Sequence, residues 1–345
     1  MYKISIIGAT GYVGLELARL LCGHGGVKIE HLFTTSAEGQ QLDALYPSLR
    51  GAGLPPLETY SKEAALSSDL VFTALPHGAG GGVIPELYRA GGRVIDMSAD
   101  YRLNDIAVYE QWYKSPHPCP EINGDAVYGL CELYRDRIKP TRLAANPGCY
   151  TSCAILACAP LMKSGLIDIH SIIIDAASGV SGAGRSLSQG MHFTEAHETY
   201  KAYGVTTHRH TPEIEQELSL AAGEPVYVTF TPHLLPVKRG ILSTIYVNLK
   251  DGVTQEQLME VYTEKYAGEP FITLYPKGEL PELKHVNGSN RCAIGFAIDK
   301  RTGRAIIVSA LDNLGKGAAG AGVQNMNLML GMPETQGLTA PAWYL

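Results

Sequence analysis

The first hundred residues alternate between short apolar runs and segments with a helical spacing of apolar side chains. The apolar runs, which are typical of buried strands, cover residues 3–7, 28–34, 69–75 and 93–96. Helical spacing follows the first and third of these runs, at residues 15–22 and 83–90. This alternation predicts a doubly wound parallel sheet covered by helices on both faces, which is a Rossmann-type α/β fold.

Beyond residue 148 strands dominate the pattern. One apolar, alanine-rich helix is predicted at residues 149–162, and further helices at residues 212–222, 254–266 and 315–329. The predicted strands cover residues 169–176, 226–231, 240–249, 292–299 and 305–310. This mixture predicts an α+β domain with a mostly antiparallel sheet. We therefore expect domains at residues 1–148 and 149–314, with residues 315–345 forming a C-terminal helix that returns to the first domain.

Composition limits the partners of the chain. The 345 residues are 45% hydrophobic and 18% charged, which suits a globular protein of two domains. The net charge of −6 argues against nucleic acid or an anionic membrane as the main partner, and favours a small molecule. No apolar run reaches the length of a membrane span, and the N-terminal residues lack the pattern of a signal peptide. We therefore expect a cytoplasmic location.

The seven cysteines contain no C-x-x-C motif and no zinc-like spacing with histidine, so we expect reduced thiols and no metal site. Cys149 differs from the others because a loop with proline and glycine, residues 146–148, delivers it to the first turn of an apolar helix. A helix N-terminus stabilises a thiolate, and its amides can hold an oxyanion. We predict that Cys149 is a nucleophile rather than a buried small side chain, which is the interpretation for Cys22, Cys153 and Cys158.

Three glycines, spaced G-x-x-G-x-x-G, join the first strand to the first helix. Glycine allows a tight turn and a close approach of the backbone to a pyrophosphate, while the helix N-terminus supplies amide donors. Such turns also occur without a ligand, but the position after the first strand favours a dinucleotide site. The residues expected to contact the dinucleotide are Gly8, Thr10, Gly11, Tyr12, Val13 and Gly14.

The end of the second strand indicates which dinucleotide binds. Proteins that prefer NAD usually carry an acid there, which binds the ribose 2′-hydroxyl. This chain has a run of hydroxyl side chains, residues 34–36, and no acid at that point. The run favours NADP with Thr35 and Ser36 as contacts, unless these residues only form a turn. Pro76 and His77, which follow the apolar run at residues 69–75, are further candidate contacts.

A second glycine-rich loop, residues 178–185, follows a predicted strand. Its backbone amides could wrap a cofactor or substrate, although a flexible connector has the same composition. Its candidate cofactor contacts are Ser178, Gly179, Ser181 and Gly182.

Two histidines precede a helix start in the second half of the chain. Thr211 as N-cap, Pro212 in the first turn and the acid Glu213 form a helix-start signature. Histidine is the natural acid–base group near neutral pH. We predict His210 as the principal acid–base group, because the helix dipole there favours neutral imidazole. In an extended tripeptide His208 points the same way, so the two roles could be exchanged.

Four stretches together resemble the family of N-acetyl-gamma-glutamyl-phosphate reductases, from about residue 3 to residue 330. They are the glycine turn, N-P-G-C-Y at residues 146–150, the loop at residues 178–185, and H-R-H-T-P-E-I at residues 208–214. The resemblance implies an NADP-binding Rossmann domain, an α+β domain for catalysis and dimerisation, and a homo-oligomer, either dimer or tetramer. It also implies NADPH-dependent reduction of an acyl phosphate to a semialdehyde through a cysteine thioester, in arginine biosynthesis.

The related aspartate-semialdehyde dehydrogenases share this chemistry but carry a catalytic histidine after a P-V-x-x-G element. The similar stretch here is residues 236–240, and Ile241 stands at the histidine position, so the acid–base role passes to residues 208–210. Residues 96–102 are similar to a segment that both families use near the substrate phosphate, and a guanidinium matches phosphate as a bidentate fork. The expected substrate contacts are Arg102, Asn146 and Arg209, although Arg102 could instead form a surface ion pair with a neighbouring aspartate.

Two alternatives share part of this pattern. A reductase of carrier-protein-bound aminoadipyl phosphate, from lysine biosynthesis, has the same motifs but is expected to show a basic docking surface, which the acidic net charge disfavours. A non-catalytic NADP-binding sensor would keep the glycine turn but would have no use for a thiol at the start of a helix.

Overall fold

The computed structural model describes residues 1–344. The chain divides into two compact units. It passes from the first unit to the second, returns to the first, and ends in the second. The first unit comprises Met1–Pro147 and Ala318–Ala340, and the second comprises Gly148–Gly317 and the chain from Pro341 onward. No helix within residues 1–344 combines the length and the apolar character that crossing a membrane requires.

A seven-stranded parallel sheet forms the centre of the first unit. Its strands are β1 (Tyr2–Ile7), β2 (Val27–Phe33), β3 (Leu57–Glu58), β4 (Leu70–Thr73), β5 (Val94–Asp96), β6 (Val127–Tyr128) and β7 (Leu143–Ala145). Their order in the sheet is β3-β2-β1-β4-β5-β7-β6, and each neighbouring pair is parallel. The strands β1 to β3 are added toward one edge of the sheet, and the strands from β4 onward are added toward the other edge. The order therefore changes direction between β1 and β4. Ligands of such sheets bind at this point, at the carboxyl ends of the strands.

Helices cover both faces of this sheet, as predicted. They are α1 (Tyr12–Cys22), α2 (Leu42–Leu45), α3 (Lys62–Leu66), α4 (Val83–Arg89), α5 (Ile106–Tyr113), α6 (Cys131–Ile138) and, from the end of the chain, α11 (Gly320–Met329). On one face Ile7 and Val71 pack with Ile84 and Leu87 of α4. On the other face Gly322 of α11 lies against Phe72, where an added Cβ would lie 3.3 Å from the ring. Successive strand residues therefore pack against different helices.

A mixed sheet forms the centre of the second unit. Its strands are β8 (Ile173–Gly179), β9 (Lys201–Ala202), β10 (Thr229–Leu235), β11 (Ile241–Asn248), β12 (Ile272–Leu274), β13 (Cys292–Asp299) and β14 (Arg304–Leu311). The order is β12-β13-β14-β11-β8-β10-β9. Only β8 with β10 and β12 with β13 are parallel neighbours within the described chain, and the other neighbours are antiparallel. The predicted α/β class with a mostly antiparallel second sheet is confirmed.

The helices of the second unit are α7 (Cys149–Cys158), α8 (Phe193–Ala196), α9 (Thr211–Ala222) and α10 (Gln255–Lys265). Helix α7 is buried from its second residue to its last, and it contacts strands β8, β11, β13 and β14. Along β11 buried and half-buried residues alternate. One face of the sheet is therefore covered by helices, whereas the other is less fully buried.

Several predicted segments have different bounds in the structure. The strand predicted at residues 226–231, for example, runs from Thr229 to Leu235. The helix predicted at residues 149–162 ends as an α-helix at Cys158 and continues as a 3₁₀ turn, Ala159–Leu161. Pro160 has no N–H for the carbonyl of Leu156, and the hydroxyl of Tyr266 donates to that carbonyl instead. The strand predicted at residues 169–176 begins only at Ile173, because a turn around Asp168 occupies the preceding residues.

A further difference concerns the helix predicted at residues 315–329. Residues Gly315–Ala319 form a π-helical turn, and the α-helix begins at Gly320. The turn follows Asp312, whose carboxylate accepts the backbone N–H groups of Leu314 and Gly315. These bonds replace the helical partners that the first residues of an ordinary α-helix would leave unsatisfied.

Candidate active site

The glycine turn in the first unit is shaped by close backbone contacts. Gly8 has a φ of 86°, and a Cβ there would lie 2.3 Å from the carbonyl oxygen of Ala74. A Cβ on Gly14 would lie 2.4 Å from the carbonyl oxygen of Gly8. Gly11, the N-cap of α1, is different, because its Cβ would meet only one atom, at 3.5 Å. Two glycines are thus required by the fold, while the third leaves the helix start open to a dinucleotide.

The chain after β2 forms a turn braced by hydroxyl groups. The backbone N–H of Ser36 donates to the hydroxyl of the buried Thr34 at 3.3 Å, and the same hydroxyl lies 3.4 Å from that of Thr10. Thr35 and Ser36 are exposed. The two interpretations of this segment, as a turn and as a cofactor contact, are therefore compatible. Thr34 forms the turn, while Thr35 and Ser36 are exposed at the carboxyl end of β2. Tyr12 and Val13, in the first turn of α1, are half-buried.

The loop after β4 lies at the same carboxyl edge of the first sheet. Pro76 and His77 are both exposed. The His77 ring contacts that of Tyr113, with ring centres 5.4 Å apart. The backbone N–H of Gly78 donates to both carboxylate oxygens of Asp100, each at 2.8 Å. This loop is therefore ordered from within the first unit and presents His77 at its tip.

Arg102 and Asn146, two predicted substrate contacts, are joined directly. The Arg102 Nε donates to the backbone carbonyl of Asn146 at 2.7 Å, and its Nη2 donates to that of Met97 at 3.3 Å. The Asn146 side chain donates to the carbonyl of Ala318 at 3.1 Å and accepts from the amide of Asn325 at 3.2 Å. Arg102 is buried. Its guanidinium thus helps to hold the backbone three residues before Cys149.

Near these residues the pKa of Asp96 is raised to about 6. Complete burial is the main cause, and the neighbouring Asp100 carboxylate adds to it. The backbone and hydroxyl groups of Ser98 donate to Asp96 and oppose the shift. The segment that carries Arg102 therefore also contains a buried carboxyl group, that of Asp96.

In the second unit Cys149 is the first residue of α7, and Gly148 is its N-cap. Cys149 is partly exposed, whereas Cys119, Cys131, Cys153, Cys158 and Cys292 are buried. Burial raises the pKa of Cys158 to about 12 and also raises that of Cys153, so both stay protonated. Cys22, which we predicted to be buried, is exposed because it is the last residue of α1. Cys149 is thus the thiol that combines exposure with a helix N-terminus.

A buried carboxylate, Glu213, holds the start of α7, and our sequence interpretation used it only as an acid in the first turn of α9. It accepts the backbone N–H of Gly148 at 2.9 Å and the hydroxyl of Thr151 at 2.8 Å. Glu213 is 1% exposed. Glu213 follows His210 by three residues, so both side chains lie at the start of α9. This spacing is the signal that could have identified it.

The His210 ring lies against Gly148, the residue that precedes Cys149. A Cβ on Gly148 would lie 2.5 Å from Nε2 of His210 and 2.8 Å from Cε1. Only glycine therefore lets the imidazole approach this backbone so closely. The ring also makes an edge contact with Tyr150, at 5.9 Å between ring centres. The structure thus brings His210 and the Cys149 segment together.

His208 is enclosed by aromatic rings beside His210. Its ring contacts Tyr150, Tyr203 and Phe230, and its Nδ1 accepts the backbone N–H of His210 at 3.1 Å. Burial, assisted by the positive charge of Arg209, lowers the pKa of His208 to about 4. His208 is therefore neutral at physiological pH and helps to fix the backbone of His210.

The helix start at this point differs by one residue from the prediction. His210, not Thr211, is the N-cap of α9, and Thr211 is the first helical residue. The N–H of Thr211 donates to the carbonyl of His208 at 3.0 Å, which closes a turn before the helix and draws Thr211 into it. Arg209, a predicted substrate contact, is exposed between the two histidines.

The loop with Ser178, Gly179, Ser181 and Gly182 belongs to the second unit, whereas the other predicted cofactor contacts belong to the first. It is ordered by backbone bonds from Val180 and Ser181 to Val237 and Lys238. Gly179 is required, since its Cβ would lie 2.8 Å from the N of Arg239. Ser178 is buried, Ser181 half-buried and Gly182 exposed.

The turn after β14 also packs against Cys149, and sequence reasoning did not identify it. A Cβ on Gly317 would lie 2.9 Å from Cβ of Cys149. The N–H of Gly317 donates to the carbonyl of Asp312 at 2.9 Å. The Asp312 carboxylate, fully buried, pairs with Arg239 at 3.0 Å. Arg239 lies in the P-V-K-R-G stretch, so this stretch supports the Cys149 side of the second unit, and Ile241, which follows it, is buried.

Within residues 1–344 no group of three or more His, Cys, Asp or Glu side chains is arranged to hold a metal ion. The chemistry available in the second unit is that of a thiol, an imidazole and helix N-terminal amides. The first unit offers an open helix start and a buried guanidinium beside a buried carboxyl group.

Comparisons with known proteins agree with this division of the chain. Residues 3–141 match the family described as semialdehyde dehydrogenase, NAD binding domain. Residues 149–313 match the family described as semialdehyde dehydrogenase, dimerisation domain. Solved structures of aspartate-semialdehyde dehydrogenases have the same fold. The Vibrio cholerae enzyme II aligns with a TM-score of 0.72 and 18% identity over 96% of this chain and 98% of its own. The Candida albicans enzyme with NADP aligns with a TM-score of 0.69 and 17% identity over 96% and 98%.

Relatives of much higher sequence identity align over nearly the whole chain. N-acetyl-gamma-glutamyl-phosphate reductase from Symbiobacterium thermophilum is 52% identical over 337 residues, with 97% of each chain covered. The enzyme of that name from Pelotomaculum thermopropionicum is 52% identical over 343 residues, with 99% of each chain covered. A match of this length spans both units of the chain. This chain is a member of the N-acetyl-gamma-glutamyl-phosphate reductase family.

Proposed function

We propose that this chain reduces N-acetyl-glutamyl 5-phosphate to N-acetyl-glutamate 5-semialdehyde with NADPH, releasing phosphate, as a cytoplasmic step of arginine biosynthesis. The observation that carries the reaction class is the partly exposed Cys149 at a helix N-terminus, with the His210 ring against Gly148. The substrate follows from the name of the relatives that share about half of the sequence.

The first step is acyl transfer to sulfur. The Cys149 thiolate attacks the acyl carbon, a C–S bond forms, and phosphate leaves with the electron pair of the broken C–O bond. The amides at the start of α7 stabilise both the thiolate and the developing oxyanion. Glu213 fixes the N-cap amide of this helix, so the thiol is held at a defined position.

The second step converts the thioester to an aldehyde. NADPH, when bound, supplies the hydride that the thioester carbon receives. The resulting alkoxide takes a proton from His210, and the thiohemiacetal then returns that proton as the C–S bond breaks and the aldehyde leaves. In the reverse direction His210 acts as the base. His208, neutral and enclosed, positions His210 through its backbone N–H.

The residues that fit NADP in the first unit are those of the glycine turn, from Gly8 to Gly14, with Thr35 and Ser36 at the end of β2 and Pro76 and His77 after β4. The open backbone at Gly11 suits a pyrophosphate, because a ligand can approach it closely. Ser178, Gly179, Ser181 and Gly182 are proposed as further contacts from the second unit. Arg102, Asn146 and Arg209 are proposed to contact the substrate.

Preference for NADPH over NADH tests the role of the turn after β2. We expect Ser36→Asp to lower kcat/KM for NADPH by at least about tenfold, because a carboxylate repels the 2′-phosphate, and to affect NADH far less. Ser36→Asn, which has a similar size and no charge, is the matched control and should change the preference little. Equal efficiency of the wild-type protein with both cofactors would contradict the assignment.

Phosphate binding by Arg102 is tested with a change that keeps the charge. We expect Arg102→Lys to raise the KM for phosphate in the reverse reaction by at least about tenfold, because lysine cannot form the bidentate fork. Arg142→Lys is the control, since Arg142 also donates to a backbone carbonyl, that of Tyr88 at 3.0 Å. A nearly normal phosphate KM in Arg102→Lys would show that Arg102 only supports the Asn146 backbone.

The second sheet supplies a surface for a homo-oligomer. Alternate residues of β8, β10 and β11 remain half-buried or exposed, whereas the residues between them are buried. A sheet with one helix-covered face and one partly exposed face is suited to pairing with a second copy of the chain. The match to a dimerisation domain supports this arrangement.

The function is tested by the reverse reaction. Purified protein should reduce NADP when N-acetyl-glutamate 5-semialdehyde and phosphate are both present, and should show no reduction when either is omitted. Absence of phosphate-dependent reduction would refute the proposed activity and favour a non-catalytic NADP-binding protein. Activity that requires an aminoadipyl semialdehyde on a carrier protein would assign the chain to the lysine pathway.

A further inference from the structure

Asp100 is a buried carboxylate to which the proposed mechanism gives no role. Its side chain is inaccessible to solvent. Both oxygens accept the N–H of Gly78 at 2.8 Å, and Oδ1 also accepts the hydroxyl of Tyr109 at 2.9 Å. Its backbone carbonyl accepts from Nε2 of His117 at 2.7 Å. These partners of Asp100 all lie outside its own loop.

The bond to Gly78 connects two loops that are distant in sequence. Gly78 has a φ of 76° and directly follows Pro76 and His77, two proposed cofactor contacts. Asp100 lies two residues before Arg102, the proposed phosphate ligand. A carboxylate that accepts a backbone N–H with both oxygens holds that N–H more firmly than a neutral acceptor would. The two loops are thus tied by a charge-assisted bond inside the first unit.

An aromatic chain makes the same connection through side chains. The His77 ring contacts Tyr113 at 5.4 Å, and Tyr113 stacks on Tyr109 with ring centres 4.5 Å apart. The hydroxyl of Tyr109 donates to Asp100. Burial beside Asp100 raises the pKa of Tyr109, so this hydroxyl remains a donor across the physiological range. The Gly78 backbone and the His77 side chain are therefore both connected to the Asp100 carboxylate, the first directly and the second through Tyr113 and Tyr109.

We propose that Asp100 is a positioning residue that sets the cofactor loop at residues 76–78 and the phosphate ligand Arg102 in one fixed arrangement. The inference rests on the proposed function, which assigns His77 to NADP and Arg102 to phosphate. Loss of the carboxylate charge weakens the bonds from the Gly78 N–H and the Tyr109 hydroxyl together, so the common anchor of both loops is weakened. Binding of NADP and binding of phosphate are then weakened by one substitution that touches neither ligand.

The test compares Asp100→Asn with Asp105→Asn in the full-length protein. Asp105 lies in the same segment but is exposed, and its side chain only caps α5 through the N–H of Ala107 at 2.8 Å. NADPH affinity is measured by fluorescence titration without turnover, and the phosphate KM and kcat are measured in the reverse reaction. Asp100→Asn is expected to raise both the NADPH Kd and the phosphate KM by roughly tenfold or more, since bonds to charged groups are the stronger ones, with a smaller change in kcat. Tyr109→Phe should give a weaker effect of the same kind, and Asp105→Asn should change neither constant.

The outcomes separate this inference from the function on which it rests. If the wild-type protein shows no phosphate-dependent reduction, the proposed function fails, and the NADPH titration alone still decides whether Asp100 holds the cofactor loop. If Asp100→Asn lowers the melting temperature and kcat while both constants stay normal, Asp100 is only structural and the proposal is wrong. A rise in one constant without the other would also overturn it, because a common anchor must affect both.

Discussion

Replacing Cys149 with serine should reduce the activity to less than a few per cent of the wild-type value while NADPH binding is unchanged. A serine hydroxyl is a far weaker nucleophile at neutral pH than a thiolate held at a helix N-terminus. The side chains differ little in size, and Cys149 is only partly buried, so the fold should tolerate the change. The measurement is steady-state reduction together with a fluorescence titration of NADPH.

Cys153→Ser is the matched control for this experiment. Cys153 is one helical turn further along α7, is fully buried, and lies near the hydroxyls of Ser243 and Ser309. A serine there meets polar partners, so the variant should fold and stay active. Substantial activity in Cys149→Ser would mean that the acyl group is not carried on this residue.

Replacing His210 with asparagine should lower kcat by about 10²–10⁴-fold, the usual contribution of general acid–base catalysis. In the reverse reaction the base must be unprotonated, so wild-type activity falls as the pH drops through the pKa of that base. This acidic limb should disappear in His210→Asn. The reason for choosing His210 is its ring, which lies against Gly148, whereas His208 is enclosed by aromatic side chains.

His208→Asn is the companion variant. Because the pKa of His208 is lowered to about 4, a loss of activity between pH 7 and pH 5 must come from another group. His208→Asn should therefore keep the acidic limb and act mainly through a raised substrate KM, since its Nδ1 holds the backbone of His210. If His208→Asn loses the limb and His210→Asn keeps it, the two roles are reversed. If both keep it, the base lies outside this segment.

The features that local sequence carries were predictable. The parallel sheet followed from apolar runs alternating with helical spacing, and Cys149 stood out because proline and glycine precede it at the start of an apolar helix. These signals are short in sequence, so one pattern defines one element. The family resemblance added the substrate, which no local pattern contains.

Features that depend on contacts between distant segments were not predictable. Glu213 read as an ordinary acid of a first helical turn, and only the fold shows its bond to Gly148, 65 residues away in sequence. The support of Cys149 by the turn at Gly317 and the pairing of Arg239 with Asp312 are hidden for the same reason. The one-residue error at Thr211 reflects how weakly sequence fixes helix ends, because a turn from His208 competed with the expected cap.

The most direct test of the covalent mechanism is to trap the acyl-enzyme. The protein is mixed with N-acetyl-glutamyl 5-phosphate without NADPH, quenched in acid, digested and analysed by peptide mass spectrometry. The mechanism predicts an N-acetyl-glutamyl thioester on the peptide that contains Cys149, which disappears on addition of NADPH as fast as the enzyme turns over. Formation of the semialdehyde at the normal rate with an unmodified Cys149, or with the acyl group on another residue, would contradict it.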